Sequence, residues 1–189
     1  MTSINRKWEN WFELQTERRK KWVEDWENHL LKEEIEDSKS NRKMHPLQLG
    51  VDIISEMNDE DWLVFDGGNT HFWNEIAVNI SGWRGKKLGG IMHPGNYSLL
   101  GVGISFGISA KAAYPDKNVV VISGDGAFLS GGLSIESAFQ EGLPIIVVID
   151  NNGGLDCISQ QQERLFANGQ HYATDFRDIP FHTLFEGLG

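Results

Sequence analysis

The chain lacks the features that define several common protein classes. Its single cysteine, Cys157, excludes an internal disulfide framework and fits a reducing compartment. Its most apolar short run, Ile145 to Ile149, is far too short to span a bilayer, and the charged N-terminus does not resemble a secretory signal. We therefore expect a soluble, cytoplasmic protein that does not associate with membranes.

Basic residues are also scarce. The 189 residues include 17 Lys and Arg against 27 Asp and Glu, which gives a net charge of −10. This balance argues against a general nucleic-acid surface. It also means that a pocket for a polyanion must use a metal ion, backbone N–H groups or helix N-termini in place of basic side chains.

Residues 1–43 contain neither glycine nor proline. Their large apolar side chains recur at spacings compatible with one helical stripe, which is interrupted near residues 15–19. The stripe consists of Trp8, Trp11, Phe12, Trp22, Trp26 and Leu30. We expect an amphipathic helical linker whose tryptophan-rich face packs on the following domain or on a neighbouring subunit of a homo-oligomer, with Trp22 and Trp26 as contact candidates. The mixed signs of its charges disfavour a membrane-surface helix.

Strands and helices alternate in the remaining segment, residues 44–189. The pattern predicts apolar strands at 62–65, 119–123 and 145–150, helices at 47–57, 99–113 and 132–141, and a loop with one short strand at 82–98. Such alternation predicts an α/β fold, a doubly wound parallel sheet with helices on both faces, preceded by the amphipathic helix. Because residues 181–189 look like a helix and its C-cap, we expect this domain to be truncated at its C-terminus.

Two strand ends carry polar side chains suited to a metal. Asp125 follows the strand at 119–123, and Asn152 follows the next strand, 27 residues later. This separation fits a strand, a crossover helix and the next parallel strand, so both side chains should meet at the carboxyl edge of the sheet, where such folds bind ligands. A carboxylate, an amide oxygen and a backbone carbonyl suit a Mg²⁺ ion that takes its other oxygens from water and phosphates. The spacing therefore indicates a metal–diphosphate cradle, and the alternative is two polar caps at strand ends.

The motifs around these two residues resemble thiamine-diphosphate-dependent enzymes. More specifically, residues 45–162 are similar to the C-terminal, diphosphate-binding domain of the acetolactate synthase, benzoylformate decarboxylase and 2-hydroxyacyl-CoA lyase group. Gly-Asp-Gly alone is a weak signal, but with Asn-Asn at this spacing and apolar strands before both it is a strong one. The matching blocks are Asp66–Thr70, Leu100–Gly103, Lys111–Asp116, Gly124–Phe128, Gly142–Pro144 and Asn151–Asn152.

The resemblance implies a role for each matching position. Thiamine diphosphate and Mg²⁺ would be the cofactors, with Asp125, Asn152 and the carbonyl of Gly154 as the metal ligands. Leu100 would support the bent cofactor, and the backbone around Ser98 would hydrogen-bond its aminopyrimidine. The diphosphate itself would contact the turn and helix start formed by Gly124, Gly126 and Ala127, and, at its other end, Gly68, Asn69 and Thr70.

One essential group of the family has no counterpart here. The glutamate that activates the pyrimidine ring lies on a separate pyrimidine-binding domain, and residues 1–43 cannot supply it. The resemblance thus implies a partner domain or subunit that completes the site, and a small-molecule substrate. No catalytic residue is assigned to this chain, although His93 is a candidate on the substrate side because its loop approaches the cofactor.

Other polar residues near the predicted cleft have simpler interpretations. His71, His93 and Tyr97 are most simply exposed residues of polar loops, and Cys157 is more readily a packing residue than a nucleophile. Gln160–Gln162 stands where acetolactate synthases usually carry Gln-Trp-Gln, which weakens acetolactate synthase proper and favours 2-hydroxyacyl-CoA lyase-like members.

The leading hypothesis is half of the active site of a lyase, decarboxylase or carboligase acting on a 2-keto acid or a 2-hydroxyacyl thioester. Without the pyrimidine-binding domain we expect this half to be inactive. The alternatives are the small subunit of a two-subunit 2-keto acid decarboxylase and a non-catalytic assembly module.

Overall fold

A computed structural model describes residues 2–40 and 44–188. The predicted domain boundary after residue 43 and the last residue of the predicted domain, 189, lie outside the described residues. The chain divides into two compact units. The first comprises the chain up to Glu56 together with Glu75–Lys86, and the second comprises Met57–Asn74 together with the chain from Lys87 onward.

The first unit is helical. It holds α1 (Thr2–Ser40), α2 (Pro46–Glu56) and the later part of α3 (Asn69–Trp83). α1 is continuous through the predicted interruption of its apolar stripe, because neither glycine nor proline breaks it. Arg84 donates from Nε to Oε1 of Glu27 at 2.9 Å within this unit.

The buried face of α1 agrees only in part with the predicted stripe, which included Leu30 but not Val23. Val23 and Leu30 are buried, and they lie on one face because seven residues make two helical turns. Trp8, Trp11 and Phe12 remain exposed in this chain. Packing of the tryptophan-rich face on a neighbouring subunit stays a prediction. In the described part of the chain, every helix is too short or too polar to cross a lipid bilayer.

The second unit contains a four-stranded sheet in which all pairs are parallel, which confirms the predicted α/β class. The strand order is β2 (Gly90–Met92), β1 (Trp62–Phe65), β3 (Val119–Gly124) and β4 (Ile146–Asp150). The helices around it are the start of α3, α4 (Gly103–Ala113), α5 (Asp125–Gly131), α6 (Ile135–Gln140), α7 (Asp156–Leu165) and α8 (Phe181–Glu186). Two short 3₁₀ turns occur at Gly95–Tyr97 and Gly132–Ser134.

The core lies on both faces of the central strands. Leu63, Val64 and Val121 are fully buried, as expected for a parallel sheet whose strands read as continuous apolar runs. α4 packs closely on β3 because it is glycine-rich at the contact. A Cβ built on Gly107 would lie 2.4 Å from Cγ2 of Val121.

Two predicted helix starts are wrong. The helix expected at 99–113 begins only at Gly103, since Gly101 has φ +85°, a left-handed conformation that a helix cannot contain. The helix expected at 132–141 is instead preceded by α5, which begins directly at Asp125.

Candidate active site at the carboxyl edge of the sheet

A cleft opens at the carboxyl ends of β1 and β3. All eleven residues predicted to bind cofactor or metal line it, whereas His93 does not. The lining residues are Gly67–Thr70, Ser98, Leu100, Gly124–Ala127, Asn152 and Gly154–Ile158. The structure thus brings the predicted residues together, and their individual roles stay predictions.

One wall of the cleft is formed by Gly124–Ala127 and the loop after β4, and Asp125 belongs to this wall. It is 2% exposed, and its carboxylate accepts backbone N–H groups from Gly126 (2.7 Å), Gly153 (2.8 Å) and Gly154 (2.9 Å). The register pairs Gly124 of β3 with Asp150 of β4, so the loop after β4 begins beside Asp125. These bonds fold the loop after β4 back onto the end of β3.

Asn152 faces the same point as Asp125. Its Oδ1 lies 3.1 Å from the backbone nitrogen of Gly154, and Oδ2 of Asp125 lies 2.9 Å from that nitrogen. The separation of the two oxygens therefore cannot exceed the sum of these distances. Carboxylate and amide oxygens are the protein ligands that Mg²⁺ takes alongside water and phosphate oxygens. The donor set fits such an ion.

The bonds to Asp125 leave room for a cation. A carboxylate offers about four lone-pair directions, of which the three N–H groups use three. At least one direction remains for a metal. The N–H of Gly126 donates to Oδ1 of Asp125 in this structure, and its contact with a diphosphate stays a prediction.

Asp156 is a cleft residue that the sequence interpretation missed. Its Oδ2 accepts from Nδ2 of Asn69 at 2.7 Å and from Nε2 of Gln160 at 2.8 Å. Asn69, which is predicted to contact the diphosphate, is thus hydrogen-bonded to another residue that lines the cleft. The described lining residues carry the two carboxylates of Asp125 and Asp156 and no basic side chain. A diphosphate bound here therefore needs a cation.

The opposite wall depends on a second buried carboxylate that was also missed. Asp66 follows β1, is 1% exposed, and accepts from the N–H groups of Gly67 (2.8 Å), Gly101 (2.9 Å) and Gly103 (3.0 Å) and from Oγ of Ser123 (3.2 Å). The signal that could have revealed it is the Asp-Gly pair directly after an apolar strand, which also marks Asp125.

A hydrogen-bonded row of side chains leads away from this wall. Oγ of Ser98 accepts the N–H of Gly68 at 2.8 Å and lies 3.3 Å from Nδ1 of His71. Nε2 of His71 lies 3.1 Å from Nδ1 of His93, which also accepts the N–H of Gly95 at 3.2 Å. The row places His93 two hydrogen bonds away from Ser98 and the cleft.

The aromatic ring of Phe65 supports both imidazoles, with centroid distances of 5.7 Å to His71 and 5.0 Å to His93. The interpretation of His71 as an exposed loop residue is wrong. It is 8% exposed and belongs to the first turn of α3, where it packs on Phe65. Tyr97, by contrast, is 97% exposed.

Comparison with known proteins is consistent with this geometry. The model of the family described as thiamine pyrophosphate enzyme, C-terminal TPP binding domain, matches residues 66–189. 2-hydroxyacyl-CoA lyase 2 of Bos taurus is 25% identical over 179 residues, which cover 89% of this chain and 27% of the lyase. The acetolactate synthase large subunit of Corynebacterium glutamicum is 37% identical over 103 residues, which cover 52% of this chain and 16% of the synthase.

A solved structure shares the fold. The thiamine diphosphate-dependent 4-hydroxybenzoylformate decarboxylase of Rhodococcus jostii RHA1 superposes with a TM-score of 0.63 at 24% identity, and the match covers 77% of this chain and 26% of the decarboxylase. The chain therefore spans about a quarter, or less, of the length of these three proteins.

Proposed function

Since the chain belongs to the family of the thiamine pyrophosphate enzyme C-terminal binding domain, we propose that its cleft holds the diphosphate end of thiamine diphosphate through a Mg²⁺ ion. Asp125, Asn152 and the backbone carbonyl of Gly154 would be the protein ligands of that ion. The observation that carries the proposal is the convergence of Oδ2 of Asp125 and Oδ1 of Asn152 on one backbone nitrogen.

The charge of the cleft supports the metal. Two carboxylates and no basic side chain line its described surface, so a bare diphosphate would meet like charge. Mg²⁺ typically binds one or two carboxylates together with phosphate oxygens. The ion would thus convert an acidic cleft into a diphosphate site.

The reaction we propose is carbon–carbon bond cleavage or formation by a lyase, decarboxylase or carboligase. Bound thiamine diphosphate supplies a nucleophilic ring carbon and stores the electron pair released when such a bond breaks. In this chain, Leu100 would support the folded cofactor from below and the backbone at Ser98 would orient its aminopyrimidine. The substrate class we propose is a 2-keto acid or a 2-hydroxyacyl thioester, in keeping with the names of the similar lyase and synthase.

The size of the cleft supports a second contributor to the site. Its volume of about 240 Å³ lies below the roughly 300–1,000 Å³ of pockets that bury most of a drug-sized ligand. We propose that a pyrimidine-binding domain or subunit supplies the remaining wall and the activating glutamate. A two-subunit 2-keto acid decarboxylase is the alternative arrangement of the same chemistry.

Calorimetric titration of the full chain with thiamine diphosphate, with and without MgCl₂, tests the metal site. We expect binding that requires Mg²⁺ and that Asp125→Ala weakens at least ~30-fold, since the variant removes a charged metal ligand and exposes three orphaned N–H groups. Asp61→Ala is the matched control, because Asp61 is also buried but lies at the amino end of the sheet, outside the cleft.

Binding that is unchanged without Mg²⁺, or unchanged in Asp125→Ala, would contradict the proposed metal site. No binding by the chain, even with a pyrimidine-domain partner present, would favour the non-catalytic assembly module.

A further inference from the structure

We propose that Asp66 is a positioning residue, whose carboxylate fixes the loop at residues 98–103 so that Ser98 and Leu100 form one wall of the cofactor cleft. This inference rests on the proposed function. Asp66 would position the residues that hold the ring end of the cofactor, whereas Asp125 would act at its diphosphate end.

The carboxylate of Asp66 is fully engaged by donors from three segments. Oδ1 accepts the N–H groups of Gly67 and Gly101, and Oδ2 accepts the N–H of Gly103 and the hydroxyl of Ser123. A charged acceptor makes stronger hydrogen bonds than a neutral one, and a buried charge is tolerated only when it is bonded in this way. The side chain therefore joins the end of β1, the end of β3 and the intervening loop.

The loop lies so close to β1 that its path has little freedom. A Cβ on Gly67 would lie 2.2 Å from the carbonyl oxygen of Ser98, and one on Gly103 would lie 2.8 Å from Oδ2 of Asp66. Gly101 has φ +85°, and a Cβ there would lie 3.0 Å from the backbone nitrogen of Gly131. The two N–H groups that follow Leu100, those of Gly101 and Gly103, are thus held by one carboxylate, and this restricts where Leu100 enters the cleft.

Leu100 itself receives its position from these neighbours. Its Cδ2 would lie 3.3 Å from a Cβ built on Gly68, so it rests against the turn after β1. It is only partly covered in this chain and lines the cleft. Packing leaves one face of Leu100 open, and the hydrogen bonds of Gly101 and Gly103 hold the backbone that follows it.

Asp61 provides a matched comparison on the same strand. It precedes β1, is 6% exposed, and accepts from the backbone N–H of Asn58 (2.8 Å), Nδ2 of Asn58 (3.1 Å) and Nδ2 of Asn118 (3.0 Å). It does not line the cleft. Asp61→Asn and Asp66→Asn therefore make the same chemical change in two buried, hydrogen-bonded carboxylates, of which only Asp66 bonds the loop at residues 98–103.

The test compares two ligands in the full chain by calorimetry with excess MgCl₂: thiamine diphosphate and inorganic pyrophosphate. An amide at position 66 must turn its NH₂ toward backbone donors, so at least one loop N–H loses its acceptor. We expect Asp66→Asn to weaken thiamine diphosphate binding about tenfold or more, the effect of losing one to two hydrogen bonds to a charged group. Pyrophosphate should bind within about twofold of the wild type, because it does not reach the loop. Asp61→Asn should leave both affinities unchanged.

Three results would overturn the proposal: equal losses for both ligands in Asp66→Asn, unchanged thiamine diphosphate affinity in that variant, or the same selective loss in Asp61→Asn. A wild type that binds neither ligand would overturn the proposed function and this role with it. If thermal melting shows that Asp66→Asn does not fold, Ser123→Ala carries the test, since it removes only the hydroxyl donor. It should weaken thiamine diphosphate alone by about threefold, and an equal loss for pyrophosphate would again overturn the proposal.

Discussion

The two ends of the parallel sheet use acidic residues in opposite ways. At the amino end, Asp61 accepts mostly from asparagine side chains, and Glu60 pairs with Lys117. At the carboxyl end, Asp66 and Asp125 accept almost entirely from backbone N–H groups of glycine-containing loops. A carboxylate with side-chain partners ties two segments together, whereas one with several backbone partners also dictates the path of a loop.

This difference explains how the cleft at the carboxyl end is framed by polar loops. The two backbone-bonded carboxylates lie on neighbouring strands, and each folds a different loop over the sheet edge. The space between those loops is the cleft. At the amino end Asp61 and Glu60 bond mainly to side chains, and the pocket beside the start of β4 is lined by apolar residues and glycine.

The largest effects are expected from glycine-to-alanine variants at the two ends of the sheet. These variants should separate a loss of folding stability from a loss of thiamine diphosphate binding. A Cβ on Gly67 would lie 2.2 Å from a carbonyl oxygen of the cleft loop, and one on Gly89 would lie 2.2 Å from the carbonyl oxygen of Glu60 at the amino end. Backbone cannot yield easily, so both variants should lose about 3 kcal/mol of unfolding free energy, the upper range for overpacking. Only Gly67→Ala should also lose thiamine diphosphate affinity.

Denaturant melts and calorimetry at a temperature where both variants are folded measure the two effects. Gly82→Ala is the control for steric overlap of the added methyl group, because nothing lies within 4 Å of a Cβ built on Gly82. Since Gly82 is inside α3, that variant should gain about 0.5–1 kcal/mol. A binding loss in Gly89→Ala equal to that in Gly67→Ala would break the comparison between the two ends.

A smaller effect is expected from Ser98→Ala. The change removes the acceptor of the Gly68 N–H and the partner of Nδ1 of His71. Leaving a partly buried donor unsatisfied should lower the unfolding free energy by about 1 kcal/mol and thiamine diphosphate affinity by about fivefold. Ser109→Ala is the control, since its hydroxyl bonds only an exposed helix carbonyl. Equal behaviour of the two variants in melts and titrations would show that the Ser98 hydroxyl does not shape the cleft.

The smallest effect should come from the exposed ion pair at the amino end. The hydrogen bond to Glu60 raises the pKa of Lys117 above its ordinary value of 10.5. A raised lysine pKa contributes stability that is fully present below the unfolded pKa and is lost as pH rises through the folded pKa. Lys117→Met should therefore lower the melting temperature slightly at pH 8 and not at all at strongly alkaline pH. Thiamine diphosphate affinity should be unchanged, and a change there would contradict the separation of the two ends.

The meeting of Asp125 and Asn152 could be predicted because their placement depends on local signals. Asp125 and Asn152 each follow a short, continuous apolar run, and the spacing between them allows little besides a strand–helix–strand unit. Adjacent parallel strands then leave few possible positions for the two side chains. The strands and the fold class follow from the same reasoning, whereas Ser98, Leu100 and the turn after β1 were predicted from the family resemblance.

The features that were missed depend on contacts between distant segments. Asp66 has the same Asp-Gly signal as Asp125, but its partners Gly101 and Gly103 are 35 and 37 residues away, and spacing alone does not pair them. The start of α4 was placed too early for the same reason. The N–H of Gly101 donates to the distant Asp66, and this contact overrides the helix pattern at that point. His71 was expected in an exposed loop, but contact with Phe65 buries it.

The backbone N–H of Gly95 favours one tautomer in the row behind the cleft wall. When it donates to Nδ1 of His93, that nitrogen bears no hydrogen, and the contact between the rings uses a hydrogen on Nε2 of His71. In a neutral His71 of this tautomer, Nδ1 accepts the hydroxyl hydrogen of Ser98. The peptide group of Gly95, three residues upstream, is thus linked through two imidazole rings to the polarity of the Ser98 hydroxyl.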